Sequence, residues 1–363
     1  MKHYILTNRP VQKKAGKIIL KKNEGNDISS LLYYGELELS ANGKATYNLI
    51  EEEPDANFQI NYPMPNNAGP TMRFFRKIYN DMREITQKNS TKRDILLFIH
   101  GYGHSLEKSF KFLKELENKY VNNPDCSVGK IIMFMWPSKS HFISYSHEQD
   151  DARASGNTLA NFYIKLKKFL DQYASKYQTE NPDYNRGYLH VVVQSMGNLL
   201  FQQMIEKLNT NHRELVDNIF KEIILVGADI ESDVFEEGHP LSNIIDYCSR
   251  VHVYYHKEDL AMKASRLRSL LTFNFRSKKP LGKTGPNDMR QLNSNIKVVD
   301  VSELEDFITA DSINDLIDDK IIQHRYFMYS TKVVKDITEV LNGKHSEEIE
   351  GRRATDRSCL FRL

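Results

Sequence analysis

No run of eighteen or more apolar residues occurs in the chain, so nothing in it reads as a transmembrane helix. The opening residues, MKHYILTNRPVQKK, contain neither an apolar h-region nor a small-residue cleavage site, and no secretory leader is expected. Cysteine is scarce: Cys126, Cys248 and Cys359 are scattered without metal-ligand spacing, which argues against a disulfide framework and for a reducing, cytoplasmic setting. We read Cys126 and Cys248 as core thiols and Cys359 as a tail thiol. Charge imbalance is lacking too, with 50 basic against 48 acidic side chains and a net charge of +2, so no whole-protein field singles out nucleic acid or an anionic membrane as partner. There is no internal repeat that would suggest a solenoid. What remains is a 363-residue chain with 40% apolar and 27% charged residues, a composition that folds.

Residues 1–70 are β-rich. KHYILTN, GKIILKK and LLYYGELELSANGKATYNLI read as strands, with Asn42 and Gly43 as a hairpin turn. Met72, Phe75, Ile78, Tyr79, Met82 and Ile85 then form one stripe at helical period. From there strand and helix alternate: DILLFIHGYG, a helix over 105–119, KIIMFMW, a helix over 157–176, YLHVVVQ, a helix over 197–209, KEIILVGA, a helix near 240–248, RVHVYYH and NIKVVDV. This order predicts an α/β fold, a doubly wound and mostly parallel sheet, with a small β-rich N-terminal addition. The expected division is an extension over 1–70 packed on the main sheet, an α/β domain over 71–343, and a charged, disordered tail over 344–363.

Chemistry concentrates at strand ends. In VVVQSMGN, Ser195 follows a buried strand and precedes a helix, with Gly197 two places on. A serine on such a turn projects its hydroxyl above the carboxyl edge of the sheet and is flanked by amides that favour an anion. The same serine can be an ordinary helix N-cap, and the pattern alone does not decide. A nucleophile needs a base, and the base needs a carboxylate. Asp259 in YYHKEDLAM and His324 in IIQHRYF both lie past later strands. Taken singly, Asp259 reads better as an N-cap and His324 as a surface histidine. Asp229 in LVGADIESD is the alternative acid, whereas His256 precedes the acid and fits the base role poorly. In FIHGYGHS, Gly101 and Gly103 allow backbone amides to approach a ligand, as an oxyanion hole requires.

Taken together, FIHGYGHS, FMWPSKS, ASGNTLANF, QSMGN, YYHKEDLAM and HRYF, in this order over residues 94–335, resemble the α/β-hydrolase superfamily of serine hydrolases, within it an uncharacterised, esterase-like bacterial branch. The resemblance implies Ser195 as nucleophile, His324 as base, Asp259 as its carboxylate, and an oxyanion hole formed by the amides of Tyr102 and Met196. It implies hydrolysis of an ester or related acyl bond in a small-molecule substrate, without metal or cofactor. The rival reading is a non-catalytic binding or scaffold protein on the same fold, favoured mildly by Val193, which stands where the full elbow pattern has glycine.

His104, Trp136 and Tyr145 are expected near the substrate, the last in a covering loop with His147, Asp150 and Asp151. LGKTGP at 281–286 ends like a phosphate-binding loop, but no strand leads into it, and it is set aside as chance. The basic residues Arg266, Arg268, Arg276, Lys278, Lys279 and Lys283 read as a solvated loop.

Overall fold

The computed structural model describes residues 1–21, 28–40, 45–54, 58–89, 91–138, 145–181, 187–262, 279–306 and 324–363. In chain order the elements are β1 (Lys2–Thr7), the small hairpin of β2 (Val11–Lys14) and β3 (Lys17–Leu20), β4 (Tyr33–Leu39), β5 (Ala45–Glu51), α1 (Pro70–Lys88) and β6 (Asp94–Ile99). Then come α2 (Leu106–Leu116), β7 (Val128–Met135), α3 (Tyr145–Phe169), α4 (Ser175–Glu180), β8 (Leu189–Gln194), α5 (Gly197–Asn211), β9 (Phe220–Val226) and β10 (Cys248–Tyr255). The chain closes with α6 (Leu281–Thr284), β11 (Ile296–Asp300), α7 (Tyr326–Tyr329), α8 (Thr331–Leu341), β12 (Arg353–Ala354) and β13 (Leu360–Arg362). The turn at Asn42–Gly43, most of the basic stretch and most of 302–320 lie outside the described residues.

Eleven strands form one sheet in the order β12-β13-β11-β10-β9-β8-β6-β7-β1-β4-β5. Neighbours from β13 to β1 run parallel, and β12, β4 and β5 are antiparallel additions at the two edges. This is the doubly wound architecture the alternation predicts. Every residue of β7 is buried, as are all but the second of β9, because helices cover both faces of a parallel sheet and leave no side for polar alternation. The α1 stripe, Met72, Phe75, Ile78, Tyr79 and Met82, is buried. Pro70 begins that helix, where its missing N–H costs nothing. Among the described residues no helix is long and apolar enough to cross a membrane.

After β6 the chain forms β7 on one side and then crosses to form β8 on the other. The carboxyl ends of β6 and β8 therefore flank the point where strand order reverses, which in open α/β sheets is where the crevice lies. Ser195 and Gly101 leave the sheet there.

Three expectations need correction. The segment near 240–248 forms only a single tight turn, Ile244–Tyr247. Helix α3 begins at Tyr145, so His147, Asp150 and Asp151 are helical and not part of a loop. The C-terminal residues 344–363 are not a disordered tail: β13 pairs in parallel with β11, and Cys359, Phe361 and Leu363 are buried. The charge that made this tail look solvating is partly satisfied internally, since the buried Arg352 holds Asp336 at 2.7 Å. At the other end, β1 lies inside the sheet, between β7 and β4.

Candidate active site

Ser195 has φ +53°, in the left-handed region that non-glycine residues avoid. Such strain costs of order 1–3 kcal/mol and persists only where the surroundings impose it. Here they do. Ser195 N–H donates to Val226 O at 3.0 Å, while Ser195 O accepts from Asn198 N–H at 3.0 Å, Asn198 Nδ2 at 2.9 Å and Asp229 N–H at 3.2 Å. At about 1 kcal/mol net per bond, four such bonds offset the strain. Asn198 also reaches back to Val193 O at 3.2 Å, so its side chain staples the turn from the strand to the first turn of α5.

Close approach falls at Gly101 and at Gly197, the glycine after the serine in the elbow pattern, and not at the place two before it. A Cβ at position 101 would lie 2.6 Å from Ser195 Cβ, and one at 197 would lie 2.7 Å from His100 O. Both positions must be bare for the elbow to sit against the end of β6. Val193, by contrast, is wholly buried and pairs in register with Ile99 and Leu225. A β-branched residue suits that central strand, and the turn keeps its left-handed serine.

His324 precedes α7, and its Nδ1 lies 2.7 Å from Asp259 Oδ2. A carboxylate accepts, so Nδ1 carries the hydrogen and Nε2 is left with its lone pair, the tautomer a general base needs. Asp259 is fully buried and divides its two oxygens: Oδ1 takes Met262 N–H at 3.1 Å and Oδ2 takes the histidine. The N-cap reading and the histidine-partner reading of Asp259 therefore hold together. Gly227, φ +51°, makes room, since a Cβ there would stand 2.8 Å from His324 Cε1. Tyr326, two residues past the histidine, ties the ends of β9 and β10: its hydroxyl accepts from Gly227 N–H at 2.7 Å and donates to Tyr254 O at 2.9 Å. His256 turns its Nδ1 to Glu258 N–H and so shapes the turn that presents Asp259.

The loop after β6 is braced from behind. His100 Nδ1 donates to Gly101 O at 2.8 Å, and Trp136 Nε1 donates to His100 O at 2.8 Å. Burial pushes the His100 imidazole down to about 3, aided by the Arg9 guanidinium, and holds His104 well below its ordinary value. Burial thus favours the neutral form of both rings. They stack at 4.8 Å, and Trp136 stacks on His100 at 5.4 Å. His104 and Trp136, expected as substrate-lining, are 1% and 0% exposed and have no surface to offer a ligand; they support the loop. Gly103 N–H donates to Ser138 Oγ, which donates to the buried Glu148, each at 2.7 Å. Gln194 Oε1 accepts Gly101 N–H at 3.4 Å. Tyr102 packs at 5.7 Å on Tyr145, whose hydroxyl donates to Asp229.

Ser195, Met196, Gly101 and Tyr102 thus lie at the reversal point, and the His324–Asp259 pair lies at the ends of β9 and β10 on the same sheet edge. Asp229 is drawn to Tyr145 and the elbow backbone. Several contributors escaped sequence reasoning. Arg9, fully buried just past β1, donates to His104 O; its only signal is a polar TNR closing an apolar strand. LGKTGP, dismissed as chance, is structural: a Cβ on Gly282 would meet Ala228 N at 2.3 Å, and Gly282 O accepts His256 N–H at 3.0 Å. It clamps the two loops that carry the acids.

A strained serine on a strand-to-helix turn at the reversal point of a mostly parallel sheet marks an α/β hydrolase. Residues 79–342 match the family described as alpha/beta hydrolase of unknown function, DUF900, and the chain belongs to that family. Neither the curated proteins nor the solved structures contain a match to it.

Proposed function

We propose that the chain is a serine hydrolase that cleaves an ester or related acyl bond through an acyl-enzyme. Ser195 Oγ attacks the carbonyl carbon while its proton passes to His324 Nε2. The negative charge that develops on the carbonyl oxygen is held by the Tyr102 and Met196 amides, the latter entering α5 where the helix dipole favours an anion. Asp259 stabilises the imidazolium. His324 returns the proton to the leaving alcohol or amine, and water then attacks the acyl-enzyme with His324 again as base.

The observation that carries this reading is the 2.7 Å bond from His324 Nδ1 to the buried Asp259, which selects the basic tautomer. A purely structural role leaves the strained Ser195 without a reason. A fluorophosphonate probe tests it: wild type should label and Ser195→Ala should not. Folded wild type that fails to label overturns the reading.

A further inference from the structure

We propose that a cavity at the amino edge of the sheet binds a single-chain carboxylate, a medium-chain fatty acid; this binding does not rest on the serine-hydrolase reading. The cavity, of about 310 Å³, lies between α1, α3 and the amino ends of β6, β8 and β9. Ile95 and Leu189 pair in register and both line it. About 20 Å of extended strand separates Leu189 from Ser195, so the cavity is distinct from the crevice at the carboxyl edge.

Apolar surface stays open there where a two-sided sheet normally closes. On one face of β6, Leu97 and Ile99 are 2% and 0% exposed, whereas Ile95 on the same face is only half-buried, although β7 and β8 flank it on both sides. Leu166, Leu170, Leu189 and Ile219 are half-buried around it, and Tyr188 in the same wall is 48% exposed. A concave apolar wall with a few polar groups is the form of small-molecule sites, and this volume is at the small end of their range. It has room for one alkyl chain and not for the paired chains of a membrane lipid. The wall also supplies one charge. Lys221, half-buried, holds Nζ 5.1 Å over the Tyr188 ring and has no carboxylate partner among the described residues. The acids near it in the chain are engaged elsewhere: Asp217 holds Lys167 at 3.1 Å, and Glu222 holds Arg250 at 2.7 Å. Asn218 and Ser249, the other polar side chains among the described lining residues, are neutral. An alkyl chain laid on Ile95 and Leu189 therefore brings a carboxylate to an ammonium that lacks one, whereas a cationic head would be repelled.

The test uses the full chain and decanoate, with decan-1-ol as neutral control, followed by calorimetric titration and melting. Decanoate should bind saturably, raise Tm and bind more tightly than the alcohol. From hexanoate through octanoate to decanoate, each added methylene should tighten binding about fourfold. Lys221→Gln should weaken decanoate binding about 3–10-fold, between the worth of an exposed ion pair and that of a desolvated one, and leave decan-1-ol binding as it was. Leu166→Trp, on the helical wall, fills the cavity and should abolish binding of both. Should that variant fail to melt cooperatively, Lys221→Glu turns attraction into repulsion and should weaken decanoate binding about tenfold or more. No saturable binding to folded wild type, as when residues 182–186 or a second copy of the chain fill the cavity, overturns the proposal. Binding undiminished in the folded Lys221 and Leu166 variants places decanoate elsewhere, the Ser195 crevice included, and overturns it too. So does decan-1-ol bound as tightly as decanoate. Ser195 left unlabelled by fluorophosphonate while decanoate binds as described sinks the hydrolase reading alone; a labelled chain that binds no decanoate sinks this proposal alone.

Discussion

The loops after β9 and β10 each carry an aspartate just beyond the carboxyl edge of the sheet, on neighbouring strands, and they do opposite things. Asp259 is fully buried, caps the helical turn that follows it with one oxygen and holds His324 Nδ1 with the other. Asp229 takes the Tyr145 hydroxyl and gives its backbone N–H to Ser195 O. Place in the topology therefore does not assign a role; the partner does. What brings the histidine to one aspartate and not the other is a bare glycine, Gly227, with room for the ring, and Tyr326, which fixes the distance between the two loops.

The contrast can be attacked by mutation, measured as kcat/KM on any ester that wild type turns over. Ser195→Ala and His324→Ala should each cost about 10⁶-fold, since the members of a triad fail as a unit. Asp259→Asn should cost about 10⁴-fold through the wrong histidine tautomer, while its melting temperature falls little because asparagine caps a helix as well as aspartate does. A comparable loss in Asp229→Asn, without one in Asp259→Asn, would reverse the assignment. Gly227→Ala should cost about 10–100-fold in rate, as a small displacement of a catalytic group does. It should also cost about 1–3 kcal/mol in urea-denaturation stability, because alanine is strained at positive φ. Tyr145→Phe and Asp229→Asn should each reduce turnover of a neutral ester less than tenfold. A larger loss in Tyr145→Phe would mean that the Tyr145–Asp229 bond positions the elbow.

Much of this was legible. The parallel core came from continuous apolar runs such as FIHG and VVVQ, whose two-sided burial leaves no alternation to read. The elbow came from a serine and a glycine at a strand–helix junction. Less legible were residues whose meaning depends on what lies across the sheet. Arg9 reaches His104 O and Gly282 meets Ala228 and His256, partners far off in sequence, and Trp136 and His104 pack behind the glycine loop with almost no exposed surface. Composition misled at the C-terminus, where Arg352 and Asp336 neutralise one another inside the fold and the alternation of Cys359, Phe361 and Leu363 is short enough to be lost among charges.

By itself the sequence determined the succession of strands from β6 to β11, the serine's place at a strand end, and the candidates for base and acid, because these depend on local periodicity and chain order. Only the tertiary structure put His324 against Asp259 and not Asp229, turned Val193 from a departure into an ordinary strand residue, and showed LGKTGP clamping two loops. Each of those depends on which atoms meet within about 3 Å across separate strands, and spacing along the chain carries no such distance.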